Sequence, residues 1–585
     1  MTREPLYLDR EDLDAPGRIK LEGTRKSALE TGRSRLLVAG AVLSLAFAVV
    51  CVRLFDISVF DQGAEPRLSK TNRASASVAA RANIVDRNGM ILATSLPTAS
   101  LYADPKGVLD INDAVRRIVS VLPNLSQKDL KRKLSSSSRF VWIKRNLTPR
   151  IQYQVNKLGI PGFHFQRGER RVYPQGDLAA HILGLTDIDG RGIAGVEKTF
   201  DRRLRAGGAP VRLSVDIRIQ SILEEELYGA MTEFKAIGAA GVILEARTGE
   251  VVAMASLPDF DPNVPQSMTE DTAFNRVTKG VYEMGSTFKL LTAAAALDAG
   301  AVGLGGGYDA TKPIRISRFT ISDYHAKKRW LSVPEILVYS SNIGAAKMAL
   351  DLGSSQFKSY LNKFGIFSPV RVELPEVGKP LVPKTWREIN TMTVAFGHGV
   401  AISPLQMTSA VAALVNGGVR LQPTILRRAP GEKPSGNRVI SEKTSANMRN
   451  LMRLVVQRGT GRNAKVQGYR VGGKTGTAEK LVNGRYKRNK RFASFVGAFP
   501  MDNPRYVLLI AVDEPQGIKR THYYATGGWV AAPVVGKLVR RMAPIIGLEP
   551  SIENSAEPAG NGRVLAAFDA TVRKSKTARK RLASQ

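Results

Sequence analysis

Gly285-Ser286-Thr287-Phe288-Lys289-Leu290-Leu291-Thr292-Ala293-Ala294-Ala295-Ala296-Leu297 is the stretch on which the reading of this 585-residue chain turns. Residues 288–297 are almost all apolar or small, which predicts a buried, alanine-rich helix ending at Gly300. Ser286 then lies at or near the helix N-terminus. Lys289, three residues on, shares its face, so the ammonium nitrogen and the hydroxyl come within hydrogen-bond reach. A free serine hydroxyl is a poor nucleophile and needs an adjacent base. Lysine can be that base only where burial or a neighbouring cation lowers its pKa. The S-x-x-K spacing alone decides nothing: a helix N-cap serine and a surface lysine give the same letters. A second copy, Ser355 to Lys358, has no sign of chemistry around it.

Two downstream elements change the weight of the first. Ser340-Ser341-Asn342 separates the apolar segments 333–339 and 343–352, as a loop between two helices that projects polar groups into a cleft. Asn342 can hold an amide by donating and accepting at once, and Ser340 can relay a proton between two lysines and a leaving amine. Lys474-Thr475-Gly476-Thr477-Ala478 reads as a strand, with Thr475 and Thr477 on one face where two hydroxyls can bind a carboxylate. Gly476 would let a ligand lie close to the backbone, and the Thr477 N–H could face an oxyanion. Taken singly, the first is a helix cap and the second an edge strand with a glycine bulge. S-x-x-K, S-x-N and K-T-G in that order form one recognised constellation for serine acyl-enzyme chemistry.

On these residues the chain resembles a class B penicillin-binding protein, a monofunctional peptidoglycan transpeptidase, over roughly residues 36–548. Further blocks agree: 81–105, Arg171-Val172-Tyr173-Pro174, 181–184, Gly195-Val196-Glu197-Lys198, 239–263, Gly459-Thr460-Gly461, Tyr524 and Ala531-Ala532-Pro533. The resemblance implies an α+β transpeptidase fold, an antiparallel sheet sandwiched by helices with the active site between sheet and helical lobe. It also implies the donor, a stem peptide ending in D-Ala-D-Ala, with β-lactams as mimics that acylate the same serine. Ser286 would attack, Lys289 accept its proton, and the N–H groups of Ser286 and Thr477 hold the oxyanion. Lys474 and Ser340 would carry a proton to the departing D-Ala, Thr475 and Thr477 grip the carboxylate, and Asn342 hold the stem amide.

Topology is readable independently. Residues 36–52 are uncharged and apolar, at the lower limit for a spanning helix, and Leu54 and Phe55 extend the run past Arg53. Arg18, Lys20, Arg25, Lys26, Arg33 and Arg35 precede it, which puts the N-terminus in the cytoplasm and the rest outside. A cleaved signal peptide is the competing reading, through Ala46-Phe47-Ala48, and the long charged leader argues for a retained anchor. The expected organisation is a cytoplasmic tail at 1–35, an inner-membrane anchor at 36–55, a periplasmic non-catalytic pedestal at 56–210, a transpeptidase domain at 211–548 and a disordered basic tail at 549–585. Short strands are expected in the pedestal.

Composition bounds the rest. One cysteine, inside the anchor, excludes intramolecular disulfides. No Cys/His cluster has metal-ligand spacing and no P-loop occurs, so neither metal nor cofactor is expected. A net charge of +35 invites a nucleic-acid reading. An exported domain with no recognition motif favours anionic lipid or cell-wall carboxylates instead. A β-lactamase would need a carboxylate-activated water, for which no counterpart is found. A carboxypeptidase shares the chemistry with water as acceptor and is left open. Intact Ser286, Lys289 and Lys474 argue against a non-catalytic β-lactam sensor or divisome scaffold, which stays open as a further alternative alongside an elongation-type transpeptidase. The S-S-N form and Phe396-Gly397-His398-Gly399 resemble the division-specific, septal subgroup, whereas the elongation subgroup tends to carry aspartate in place of Asn342. A partner SEDS-family glycosyltransferase and other division proteins are implied by that resemblance alone.

Overall fold

The runs 239–244 and 251–256, rich in valine and alanine around Arg247-Thr248-Gly249-Glu250, predict a hairpin. In the computed structural model, which describes residues 24–59, 80–316, 319–482, 484–550 and 568, Gly238–Glu245 and Val251–Leu257 pair antiparallel. They form one side of a five-stranded sheet. Across it the order is Gly472–Val482, Arg485–Phe499, Tyr506–Asp513, Gly238–Glu245, Val251–Leu257, every pair antiparallel. All residues of Tyr506–Asp513 are buried, as a central strand covered on both faces requires. The K-T-G strand is at the sheet edge, so one side of its backbone faces the cleft.

Each face of the sheet carries helices. Leu223 and Leu227 of Ile217–Glu233 and Leu538 of Ala531–Ile545 pack with Phe495, Leu508 and Ile510. On the other face, Leu291 of Lys289–Asp298, Val411 of Pro404–Val415 and Met452 of Glu442–Arg458 share a core with Val496 and Leu509. Fully burying a leucine or valine side chain stabilises by about 1.5–3 kcal/mol. The two cores therefore fix the edge strand against the nucleophile helix from both sides.

The pedestal is built on longer strands than expected: Ile91–Ala103 pairs over ten residues with Phe163–Val172, and also with Val141–Leu147. Its sheet is closed by Val211–Arg212, parallel to Ile84–Val85. Residues 211 and 212, just past the expected limit of 210, still pair with this sheet, and Leu213 bridges to Leu426. Two polar knots join the domains. Asn88 donates to Asp216 at 3.1 Å, and Arg87 pairs with Glu250 at 3.0 Å. Inside the pedestal, fully buried Glu197 is held by Arg81 and Arg171, each at 2.6 Å.

The chain separates into two units, 1–78 and 79–585. In the first, Thr24–Val59 is one helix, with Leu37, Val42, Leu43, Phe47 and Val52 exposed. Its side chains are described only at 33, 35 and 37–52, and among the described residues no helix is long and apolar enough to cross a membrane. The expected cytoplasmic tail lies outside the described residues up to 23, as does the expected disordered tail beyond 550 except for Phe568. Phe568 is buried, with its ring 6.2 Å from that of Tyr339.

Candidate active site

The predicted helix is Lys289–Asp298, entered through a turn of 3-10 helix, Gly285–Phe288, that carries Ser286 at its mouth. Gly285 makes this entry possible. Its φ is +53°, a region costly for residues with a Cβ, and a Cβ there would lie 2.7 Å from the Thr477 carbonyl oxygen. Its N–H donates to the Gly397 carbonyl at 3.3 Å. Ser286 is thereby pressed against the K-T-G strand from one side and the Phe396-Gly397-His398-Gly399 segment from the other.

All three sequence elements converge. Lys289 Nζ lies 2.9 Å from Ser286 Oγ, 2.7 Å from the Ser340 carbonyl oxygen, 3.1 Å from Ser340 Oγ and 2.7 Å from Asn342 Oδ1. Lys474 Nζ donates to Ser340 Oγ at 2.9 Å and to the Thr475 carbonyl at 3.2 Å. Ser340 caps Val333–Tyr339 in the left-handed conformation, φ +60°, which turns its hydroxyl between the two lysine nitrogens. Both lysines are buried while Ser286 is only half-buried, so the base is shielded and the nucleophile reachable.

Burial sets the electrostatics. It pushes Lys289 well below the ordinary lysine value, Lys474's charge pushes it further, and Asp323 partly opposes both. Burial alone brings Lys474 down to about 7. A neutral amine offers two N–H bonds and one lone pair. The Ser340 carbonyl and Asn342 Oδ1 can only accept, so they take the two N–H groups. The lone pair is left for a hydroxyl donor, of which Ser286 Oγ at 2.9 Å is nearer than Ser340 Oγ at 3.1 Å.

The remaining predicted residues meet less expected partners. Thr475 Oγ1 lies 2.8 Å from Thr460 Oγ1, and Thr477 Oγ1 accepts from the Gly527 N–H at 3.1 Å. Gly476 is held small by packing: a Cβ there would sit 2.5 Å from Ser494 Oγ and 2.6 Å from the Met284 carbonyl. Protein atoms already fill that side of the strand. Asn342 has both ends engaged, since its amide nitrogen donates to the Ser322 carbonyl at 2.9 Å, leaving one N–H for a ligand.

Sequence reasoning missed Asp323. Its carboxylate accepts from Ser341 Oγ at 2.7 Å, Asn342 N at 2.6 Å and Ile343 N at 3.0 Å, capping the helix Asn342–Leu352 and fixing where Asn342 points. Nothing local marks an aspartate eighteen residues upstream of Ser341 as its partner. Glu283 was missed too. It accepts from Gly399 N at 2.8 Å and Tyr486 Oη at 2.9 Å beside the nucleophile turn. The second S-x-x-K lies on Ser354–Lys363, where Lys358 sits over the Trp386 ring, away from the constellation. Among the described residues no group of acidic, histidine or cysteine side chains could hold a metal.

Comparison with known proteins gives the same picture at family level. Residues 239–540 match the penicillin binding protein transpeptidase domain, and residues 76–225 the penicillin-binding protein dimerisation domain. The chain is 41% identical over 487 residues to the probable peptidoglycan D,D-transpeptidase FtsI of Caulobacter vibrioides, covering 81% of this chain and 82% of the relative. It is 31% identical over 554 residues to the peptidoglycan D,D-transpeptidase FtsI of Escherichia coli, covering 88% and 92%. Among solved structures, penicillin binding protein 3 of Mycobacterium tuberculosis, complexed with aztreonam, superposes with a TM-score of 0.65 at 25% identity, covering 81% of this chain and 98% of that one.

Proposed function

The chain belongs to the penicillin-binding protein transpeptidase family, and we propose that it transfers acyl groups through Ser286. It is a serine-type peptidoglycan D,D-transpeptidase, and the names of its relatives support a role in septal wall synthesis. The observation that carries the Ser286 assignment is the 2.9 Å approach of a buried, pKa-lowered Lys289 to that hydroxyl.

In the reaction, Ser286 Oγ attacks the penultimate D-Ala carbonyl of a donor stem peptide and passes its proton to Lys289. Backbone N–H groups of Ser286 and Thr477 hold the oxyanion, each donor typically worth about 3 kcal/mol. Lys474, cationic below about 7, adds positive potential and, through Ser340, a route for the proton to the departing D-Ala nitrogen. Thr475 and Thr477 bind the terminal carboxylate and Asn342 the stem amide. An amine of a second stem then attacks the ester, C–N forming as C–O breaks, and its proton returns to Ser286. β-Lactams enter at the same serine.

Residues 36–55 anchor the enzyme in the inner membrane by this reading, with 56–210 as pedestal and 211–548 as transpeptidase domain on the periplasmic side. The uninterrupted apolar run and the exposed Leu37, Leu43 and Phe47 support the anchor. A SEDS-family glycan polymerase and other septal proteins are the partners this placement calls for.

Intact-protein mass after incubation with a β-lactam tests the assignment. One stable adduct on the wild type, absent from Ser286→Ala, is the expected result. Rapid β-lactam hydrolysis without an adduct would make the chain a lactamase. Neither adduct nor hydrolysis by a folded protein would leave only the scaffold reading.

A further inference from the structure

The K-T-G strand does not stop at the active site. It continues to Val482 and returns as Arg485–Phe499, with the pairs Val482↔Arg485, Leu481↔Tyr486 and Lys480↔Lys487, then Glu479↔Arg491. Residues 488–490 are skipped in that register and bulge from the ladder. Between 479 and 491 the chain carries Lys480, Arg485, Lys487, Arg488, Lys490 and Arg491 against one carboxylate, Glu479.

Two of these cations are spoken for. Lys480 pairs with Asp513 and Glu514, both at 2.9 Å, and Lys490 with Glu514 at 2.8 Å. Among the described residues no ion pair is made by Arg485, Lys487, Arg488 or Arg491, and Arg485, Lys487 and Arg488 are exposed. Like charges crowded on one hairpin repel, which costs stability unless an anionic partner offsets it.

The hairpin is also tied to the catalytic turn. Tyr486 donates to Glu283, three residues before Ser286, and its ring lies 5.8 Å from that of His398. Glu283 in turn accepts from Gly399. A ligand held on the hairpin is therefore held at the entrance to the cleft. The exposed apolar residues here are few, Leu481 and Tyr486, which is poor material for insertion into a bilayer.

We propose that this basic hairpin is the docking surface for uncross-linked wall polymer, whose carboxylate-bearing stem peptides it draws along the K-T-G strand to Ser286. The proposal rests on the transpeptidase reading above and adds to it a site for the polymer beyond the reacting peptide. Arg485, Lys487 and Arg488 supply the attraction, Arg491 extends it toward the cleft, and Tyr486 gives a partly apolar surface between them.

The test uses the full chain in detergent and the variant Arg485→Gln/Lys487→Gln/Arg488→Gln. Cross-linking of soluble, uncross-linked glycan-peptide strands is followed against strand concentration at about 0.05 M and 0.5 M salt. The expected result is an apparent KM about tenfold higher for the variant in dilute salt, from three exposed charges, with the two proteins converging in concentrated salt. β-Lactam acylation is measured alongside in concentrated salt. A wild type that is not acylated brings down the transpeptidase reading and this proposal with it. Normal acylation with equal KM values at both salt concentrations overturns the docking surface alone. Lost binding to phosphatidylglycerol vesicles with an unchanged KM also overturns it, and makes the hairpin a lipid contact. Should the triple variant melt early, Lys487→Gln alone is read in the same assay, with an expected rise of about twofold.

Discussion

The side-chain carbonyl of Asn342 accepts from Lys289 Nζ at 2.7 Å, and this contact helps decide which way the lysine's lone pair points. With the Ser340 carbonyl taking the other N–H, the lone pair is turned toward the two serine hydroxyls, of which the nucleophile is the nearer. The S-x-N asparagine is therefore part of the base as well as a candidate substrate contact.

Replacing Asn342 by aspartate would put a negative charge at the same distance from Lys289. An anion within reach of an ammonium group favours its charged form, so the Lys289 pKa rises. The acid limb of β-lactam acylation is expected to move up by about one pH unit or more in Asn342→Asp, with a lower rate at pH 7. A second-order acylation constant measured across pH checks this. An unmoved limb would show that Asn342 does not tune the base.

Lys474 should produce the opposite limb. Attack needs Lys289 neutral, whereas the positive potential of Lys474 requires its proton, and its value is brought down to about 7 by burial. Acylation should therefore rise as Lys289 deprotonates and fall again as pH passes about 7, the bell of a coupled pair. In Lys474→Arg the charge persists to high pH, so the alkaline limb should vanish while the maximum falls roughly tenfold or more from lost fit. A wild-type profile that stays flat from neutral to alkaline pH would exclude Lys474 as its source.

Asp323 acts one step back from the chemistry. It accepts from the backbone N–H groups of Asn342 and Ile343 at the start of Asn342–Leu352 and from Ser341 Oγ. Losing such a cap typically costs about 1–2 kcal/mol. Asp323→Ala should lower the melting temperature by a few degrees and slow acylation by more than that loss explains, because Asn342 loses its seat. Equal effects of Asp323→Ala and Ser341→Ala on both readouts would argue for a cap with no catalytic consequence.

The parts of the site written in local spacing were legible in advance. Ser286 and Lys289 are one helical turn apart, and Lys474, Thr475 and Thr477 lie on one strand, so periodicity alone relates them. That Ser340 bridges the two lysines was readable only as a polar gap between apolar segments. Asp323 and Glu283 were invisible because each acts through a partner far along the chain, and Thr460, read only as part of a resembling block, gave no sign of its contact with Thr475. Gly476 was legible as a glycine, but not that a Cβ there would meet Met284 and Ser494, which lie far from it in sequence. The length of the pedestal strands was hidden for a similar reason: pairing of Ile91–Ala103 with Phe163–Val172 spans some seventy residues, and the second strand is mostly polar and charged.

Glu224 marks where the two folded domains depend on pH. Its Oε1 accepts from the pedestal's Ala179 N–H at 2.9 Å and from Gln220 at 2.7 Å, while burial, and then the charges of Asp259 and Asp177, raise its pKa to about 7. The folded carboxyl keeps its proton to a higher pH than the unfolded one. Below the ordinary glutamate value both states are protonated and no penalty exists. As pH rises through the window to about 7 the unfolded state ionises first, so stability is lost across it. Glu224→Gln removes this titration and keeps an acceptor for Ala179. The variant should match the wild type near pH 4.5 and exceed it by about 1–2 kcal/mol at pH 8. Asp259, raised to about 6 by burial and then by Asp177, should leave a shallower slope of the same sign in the variant. Thermal melts of both proteins at the two pH values decide it, and a stability difference that does not grow with pH would sink the assignment.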